Sequence, residues 1–209
     1  MEQNNIANRE SHTATRILVI GSGGREHAIG WKFIEDFKQK GQDLELFFIP
    51  GNAGTAQIGT NVSVSSIEEM KDFAKENQIE LTFVGPEAEL AEGIVDIFQK
   101  ENLTVFGPHK AAAQLEASKA FAKDFMDKYG VKTAKYKNFQ GPMLAIDYLK
   151  TQEYPIVVKA SGLAAGKGVI ICQDFEEAKQ AVLDIMEDKT FGDAGNEVVI
   201  EEYLEGFEA

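Results

Sequence analysis

The 209 residues, 44% of them hydrophobic, can bury a sizeable core as one large domain or two small ones. Acidic residues outnumber basic ones by 34 to 21, and the formal charge of −13 argues against a broad nucleic-acid or anionic-membrane footprint, so any anion must be caught by a local site. The single cysteine, Cys172, cannot form an internal disulfide, and no apolar segment approaches the roughly 20 residues that span a bilayer.

The polar start, MEQNNIANRESHTAT, lacks the apolar centre of a secretory signal and is expected to be a disordered extension, residues 1–15, of a cytoplasmic protein. From Arg16 onward, short apolar runs alternate with amphipathic stretches. RILVIG (16–21), LELFFIP (44–50), LTFVGP (81–86) and LTVFGP (103–108) predict buried strands closed by Gly or Pro, with helices over 25–39, 66–78 and 87–101 between them. The second helix carries a capping-box signal, Ser66 followed by Glu69. This rhythm implies a parallel, Rossmann-like sheet with helices on both faces and ligands at the carboxyl ends of its strands.

Near residue 117 the pattern changes, and a domain boundary is expected there, giving 16–117 and 118–209. The second stretch predicts a helix over 118–130 stopped by Gly130, a strand over 131–139 and a helix over 142–152. A strand leading into Ser161 follows, then a second strand over 168–173, a helix over 174–188 and a strand over 197–206.

The loop GSGGREHA places glycines, among them Gly23 and Gly24, between a strand and a helix, where backbone N–H groups and the helix dipole can face an anion. A dinucleotide fingerprint is absent, because Glu26 stands at its third glycine and the second strand ends in Ile49-Pro50. A tight strand-to-helix turn needs glycine in any case, so this loop alone does not specify a ligand. Two further strand ends add donors and a carboxylate, Asn52, Gly54 and Thr55 in PGNAGTA and Glu87 in VGPEAEL, which together suit a small phosphorylated polyol or amine. His27, in the first helical turn, is read more readily as a structural or capping residue than as a site residue, and His109 as a loop residue.

Between two β-branched runs lies Gly162-Leu-Ala-Ala-Gly-Lys-Gly168. A Walker loop would need glycine at Ser161, a hydroxyl at Gly168 and a helix afterwards, whereas a strand follows. The segment therefore predicts an antiparallel hairpin whose loop folds as a flap over phosphates, with Lys159 and Lys167 supplying positive charge. A plain glycine hairpin with solvated lysines is the alternative. Farther on, Glu201-Glu202 followed by Tyr203-Leu204 predicts a hinge that reads adenine, against the alternative of a solvated strand edge.

GSGGREHA, PGNAGTA, VGPEAEL, FGP, AAQLEASKAFAKDFM, VVKASGLAAGKGV, FGDAGN and EEYLEG occur in this order. Over about residues 16 to 209 they resemble the motifs of the ATP-grasp ligases and, more closely, of the phosphoribosylamine–glycine ligase (glycinamide ribonucleotide synthetase) family. The resemblance implies an α/β chain, a Rossmann-like domain followed by the first part of an ATP-grasp domain with a glycine-flap hairpin. It implies ATP-dependent joining of glycine to 5-phosphoribosylamine in purine biosynthesis, through a glycyl phosphate and without a protein nucleophile, in a monomer that binds neither nucleic acid nor membrane.

Residue by residue, the resemblance puts Lys119 and Lys159 on phosphates, Lys159 and Lys167 as the charge-neutralising catalytic lysines, and Gly162, Gly166 and Gly168 in the flap. It also places Glu201, Glu202 and Leu204 at adenine and Glu208 at ribose. Gly23, Gly24, Arg25, Glu26, Asn52, Gly54, Thr55 and Glu87 would line the phosphoribosylamine pocket. Mg2+ or Mn2+ is implied, with its ligands expected beyond residue 209, and the chain is accordingly expected to be an incomplete, inactive portion. Phe207 departs from the family, which often has an acidic residue there. Another ATP-grasp carboxylate–amine ligase and a non-catalytic phosphosugar or nucleotide binding module are the competing readings.

Overall fold

The structure, a computed structural model, describes residues 14–164 and 166–206. Its first half runs β1 (Thr15–Gly21), α1 (Gly24–Lys40), β2 (Leu44–Pro50), β3 (Thr60–Asn61), α2 (Ile67–Glu76), β4 (Leu81–Val84), α3 (Glu87–Glu92), α4 (Ile94–Lys100) and β5 (Val105–Phe106). The second half runs α5 (Lys110–Ala117), α6 (Lys119–Lys128), β6 (Tyr136–Phe139), α7 (Pro142–Leu149), β7 (Ile156–Ala160), β8 (Val169–Cys172), α8 (Phe175–Met186) and β9 (Val198–Glu202). Short 3-10 turns occupy Thr55–Gln57 and Gly192–Asn196. The chain divides into two compact units between Lys110 and Ala111.

The first unit is a parallel sheet ordered β3-β2-β1-β4-β5. β1 is central because its run Ile17-Leu-Val-Ile20 is apolar on both faces. Ile17 and Val19 pack with Leu46, Phe48 and the α1 residues Phe33, Ile34 and Phe37. Leu18 and Ile20 face the other layer, with Met70 and Ala74 of α2 and Ile94, Val95 and Phe98 of α4. α2 starts as the sequence predicts, with Ser66 Oγ accepting from Glu69 N while the Glu69 carboxylate accepts from Ser66 N. From β1 the chain crosses to β2 and β3 on one side and then returns to β4 on the other. The carboxyl ends of β1 and β4 therefore form the crevice in which ligands of such sheets bind.

Three expectations here need correction. The single helix over 87–101 is two helices, because Gly93 adopts φ 99°, ending α3 and beginning α4. The strand expected over 103–108 shrinks to β5, an edge strand of two residues, and β1 begins at Thr15, inside the expected extension. β3 was not anticipated, since two residues are too few for a period-2 pattern to register. Residues 1–13 of the expected extension lie outside the described residues.

The second unit is an antiparallel sheet ordered β6-β9-β7-β8. β7 and β8 form the expected hairpin across the glycine loop, with Lys159 opposite Val169. On one face Ile156, Val158, Cys172, Val198 and Ile200 pack against α7 and α8. The alternate residues Val157, Lys159, Val169, Ile171, Val199 and Glu201 belong to the opposite face. There Val169 and Ile171 stay 42% and 50% exposed, an open apolar surface on a sheet whose other side is sealed. The predicted strands over 131–139 and 197–206 narrow to β6 and β9, and α5 occupies a stretch for which no element was predicted. Among the described residues no helix is long and apolar enough to cross a membrane.

Candidate functional site

At the crevice of the first sheet, the loop after β1 and the loop after β2 are tied together by one side chain. Asn52 Nδ2 donates to Ser22 O at 2.7 Å, and its Oδ1 accepts from Gly54 N at 2.7 Å and Thr55 N at 3.0 Å. Thr55, fully buried, keeps its hydroxyl within the loop, 2.6 Å from Asn52 N and 2.8 Å from Asn61 Oδ1. Asn52, Gly54 and Thr55 thus shape the loop, and the Thr55 hydroxyl is turned inward rather than offered to a ligand.

Across the crevice Arg25 donates to Glu87 Oε1 from Nη1 and Nη2, both at 3.1 Å. The Glu87 carboxyl is held below the usual range by its own backbone N–H and by that guanidinium. Arg25 remains 68% exposed, so the pair faces solvent. Glu26 is buried at 3% exposure and accepts from Gly23 N at 2.6 Å. His27 lies against Gly54, where a Cβ would stand 3.6 Å from the ring. Gly23, Gly24, Arg25, Glu26, Asn52, Gly54, Thr55 and Glu87 all gather at this edge.

In the second unit, the start of α6 is anchored to the end of β7. Ser118 Oγ caps α6 by accepting from Phe121 N, while the buried Ser161 Oγ accepts from Ala120 N at 3.1 Å and Ser161 O accepts from Lys119 N at 2.8 Å. Lys119 and Lys123 are four residues apart and share one face of α6. Lys119 Nζ donates to Gly162 O at 3.1 Å, and burial, followed by the nearby Lys159 charge, pushes its ammonium below the ordinary lysine range. Lys123, 8% exposed, reaches Thr133 Oγ1 at 2.6 Å and Glu201 Oε2 at 2.9 Å. Lys159 Nζ meets the same oxygen at 3.0 Å.

Two ammonium groups therefore share one carboxylate oxygen, and Lys119 lies near enough to feel both the Lys159 and Glu201 charges, leaving a net positive spot in an acidic chain. The Glu201 side chain is 5% exposed, and Lys123 and Lys159 both meet its Oε2, while among the described residues no group donates to its Oε1. Glu202 accepts from Lys135 N at 2.8 Å, and Leu204 is exposed just past β9. Lys123 and Ser161 escaped the sequence reading. The i, i+4 spacing of Lys119 and Lys123 was the available signal for the first, and none marked the second. Glu208 lies outside the described residues.

The flap between β7 and β8 places Lys167 and Gly166 at the surface and Gly168 in its buried base. Gly166 has φ 76° with open space around it, so the need for glycine there is conformational rather than steric. Gly166→Val is expected to disfavour this loop conformation by about 1–2 kcal/mol, which the exposed loop relieves by shifting when free, so that ATP binding weakens by about tenfold with little change in melting temperature. Calorimetric titration with ATP checks it, and unchanged affinity would remove the flap from the phosphate site.

Family models for the phosphoribosylglycinamide synthetase N domain and ATP-grasp (A) domain match residues 15–116 and 117–209. The chain belongs to the phosphoribosylglycinamide synthetase family. A phosphoribosylamine–glycine ligase of Clostridium acetobutylicum is 50% identical over 196 residues, 93% of this chain and 46% of that protein. The crystal structure of the Thermotoga maritima phosphoribosylamine–glycine ligase matches at TM-score 0.75 and 36% identity, covering 92% of this chain and 45% of the other. The biotin carboxylase domain of the Hydrogenobacter thermophilus 2-oxoglutarate carboxylase, 22% identical at TM-score 0.72 over 91% of this chain and 44% of its own, shares the fold.

The chain thus spans under half the length of these relatives. In phosphoribosylglycinamide synthetase terms it is an α/β chain, a parallel Rossmann-like sheet followed by the first part of an ATP-grasp domain with its flap hairpin. ATP-grasp ligases in general use ATP with a divalent metal. Among the described residues, no group of three or more His, Cys, Asp or Glu is placed to hold a metal ion.

Proposed function

We propose that this chain carries the phosphosugar-amine pocket and the first half of the ATP site of a cytoplasmic ligase that joins glycine to 5-phosphoribosylamine. Residues 16–117 form the substrate-binding domain and residues 118–209 the flap and hinge of the nucleotide domain. The cluster of Lys119, Lys123 and Lys159 around Glu201 carries the reading, because it concentrates positive charge beside a glycine flap in a chain of net charge −13.

In this proposal Lys119 and Lys159 hold ATP phosphates, Lys167 and the flap close over them, and the exposed apolar face of Val169 and Ile171 receives the adenine side of the nucleotide. The backbone from Glu201 to Leu204 reads adenine, and Glu208 reaches ribose. When bound, ATP with its metal supplies the phosphoryl group that activates the carboxylate of glycine. This chain's share of catalysis is positioning and charge neutralisation, which need no protein nucleophile. At the other edge, Arg25 and the backbone of Gly23 and Gly24 meet a phosphorylated sugar while Glu87 faces its amine or hydroxyls.

Binding is the test suited to a chain of this span. Backbone NMR during titration with ATP is expected to perturb Lys159, Gly166 to Gly168 and Glu201 to Leu204. Ribose 5-phosphate is expected to perturb Gly23 to Glu26, Asn52 to Thr55 and Glu87. ATP shifts confined to other residues would sink the nucleotide assignment. The lowered Lys119 ammonium adds a pH signature, since phosphate favours the protonated form. ATP affinity is expected to fall with rising pH through a value below the usual lysine range, and Lys119→Arg, always charged, is expected to abolish that fall. Affinity curves of identical shape for both proteins would exclude Lys119 from the phosphate site.

A further inference from the structure

Ser161 follows β7 directly and precedes the flap, and it is buried at 4% exposure. Each of its polar groups has a partner inside the unit. Its N–H donates to Glu197 O at 2.9 Å, its carbonyl accepts from Lys119 N at 2.8 Å, and its hydroxyl accepts from Ala120 N at 3.1 Å with Ser118 Oγ 3.2 Å away. Apart from the Glu197 bond, these contacts all fall on the start of α6, although 41 residues separate Ser161 from Ala120.

A helix start leaves its first N–H groups without partners, and a local cap is the usual remedy. Here Ser118 supplies that cap for Phe121 N, and Ala122 N already turns back to Ser118 O. Ser161 takes the remaining two, Lys119 N and Ala120 N. Its bonds therefore decide where α6 stands against the end of β7 rather than whether the helix begins. The two lysines assigned to phosphate lie on either side of this seam. Lys159 is two residues before Ser161, and Lys119 clasps the junction, with its N–H on Ser161 O and its Nζ on Gly162 O at 3.1 Å. The Lys159 charge is felt at Lys119, so the two ammonium groups are already held near each other. Like charges repel, and their spacing requires an anchor beyond the attraction of Glu201.

We infer that Ser161 is a positioning residue of the nucleotide site, whose hydroxyl and carbonyl fix the first turn of α6 on the base of the flap so that Lys119 and Lys159 meet phosphate as a pair of set spacing. Ser161 itself touches no phosphate. The inference rests on the assignment of Lys119 and Lys159 to ATP.

Ser161→Ala removes the hydroxyl acceptor and keeps the carbonyl contact, so the chain is expected to lose only a few degrees of melting temperature, the scale of one hydrogen bond. Its ATP affinity, measured calorimetrically, is expected to fall by about tenfold, because Lys119 no longer starts from its place beside Lys159. A general structural defect would weaken binding whatever residue stood at position 119. Ser161→Ala is therefore combined with Lys119→Met, which alone should cost about 10- to 100-fold, and in that background it is expected to add less than about twofold. Backbone NMR gives a second reading. On titration of Ser161→Ala with ATP, the amide shift of Lys159 should persist while that of Lys119 shrinks. Unchanged binding by Ser161→Ala, equal losses with and without Lys119, or amide shifts that shrink together at both lysines would reduce Ser161 to a packing residue and overturn the inference. Unchanged ATP affinity of Lys119→Met would instead remove Lys119 from the phosphate site, and the inference would fall with that assignment.

Discussion

Replacing Glu201 by alanine is expected to destabilise the second unit by about 3–5 kcal/mol, because it strands a buried ammonium. Lys123 is 8% exposed and its charge is met by Glu201 Oε2 at 2.9 Å, with the Thr133 hydroxyl and the Tyr136 ring, whose centroid is 5.7 Å from the ammonium, as further partners among the described residues. Lys159, more open to solvent, can turn its ammonium toward water when the carboxylate is lost. Most of the cost therefore falls on Lys123. Adding Lys123→Met should recover a large part of the loss, since the uncompensated charge leaves with it while the aliphatic stem remains. Urea unfolding of the two single variants and the double variant measures this. A Glu201→Ala loss below about 1 kcal/mol, the range of an exposed pair, would mean that Lys123 reaches water and that the cluster is not a buried one.

Lys159→Met is expected to leave the fold nearly intact and to weaken ATP binding by about 10- to 100-fold, the loss of one charge-assisted hydrogen bond to phosphate of about 1.5–3 kcal/mol. The fold survives because Glu201 keeps Lys123 as its partner and methionine retains the packing of the lysine stem. The two variants therefore separate the roles of the cluster. Glu201 and Lys123 are expected to hold its geometry, and Lys159 to face the ligand. ATP titration together with a melting curve decides the matter. Unaltered affinity would assign Lys159 to structure alone, as a second partner of Glu201.

The strands of the first sheet, the capped start of α2 and the β7-β8 hairpin were legible from residue order, because apolar periodicity, a Ser-to-Glu spacing and glycine chemistry act over a few residues. Short elements were not. β3 and β5 are two residues long and exist through pairing with Phe47-Phe48 and Thr82-Phe83, which lie far away in sequence. The break at Gly93 was visible as a glycine, yet a glycine within an amphipathic run does not announce a positive φ.

Within the candidate site, the sequence by itself determined which residue types gather at the strand ends, and so the glycine loops, the flap and its lysines. Only the tertiary structure decided what each side chain does there. It turned the Thr55 hydroxyl into its own loop, set Glu201 between Lys123 and Lys159, and sank Glu26 beneath three glycines with one oxygen capping α1. Those outcomes depend on strand order and on which face of a strand or helix is sealed. The residues that fix them lie tens of positions apart, and local pattern carries no record of that distance.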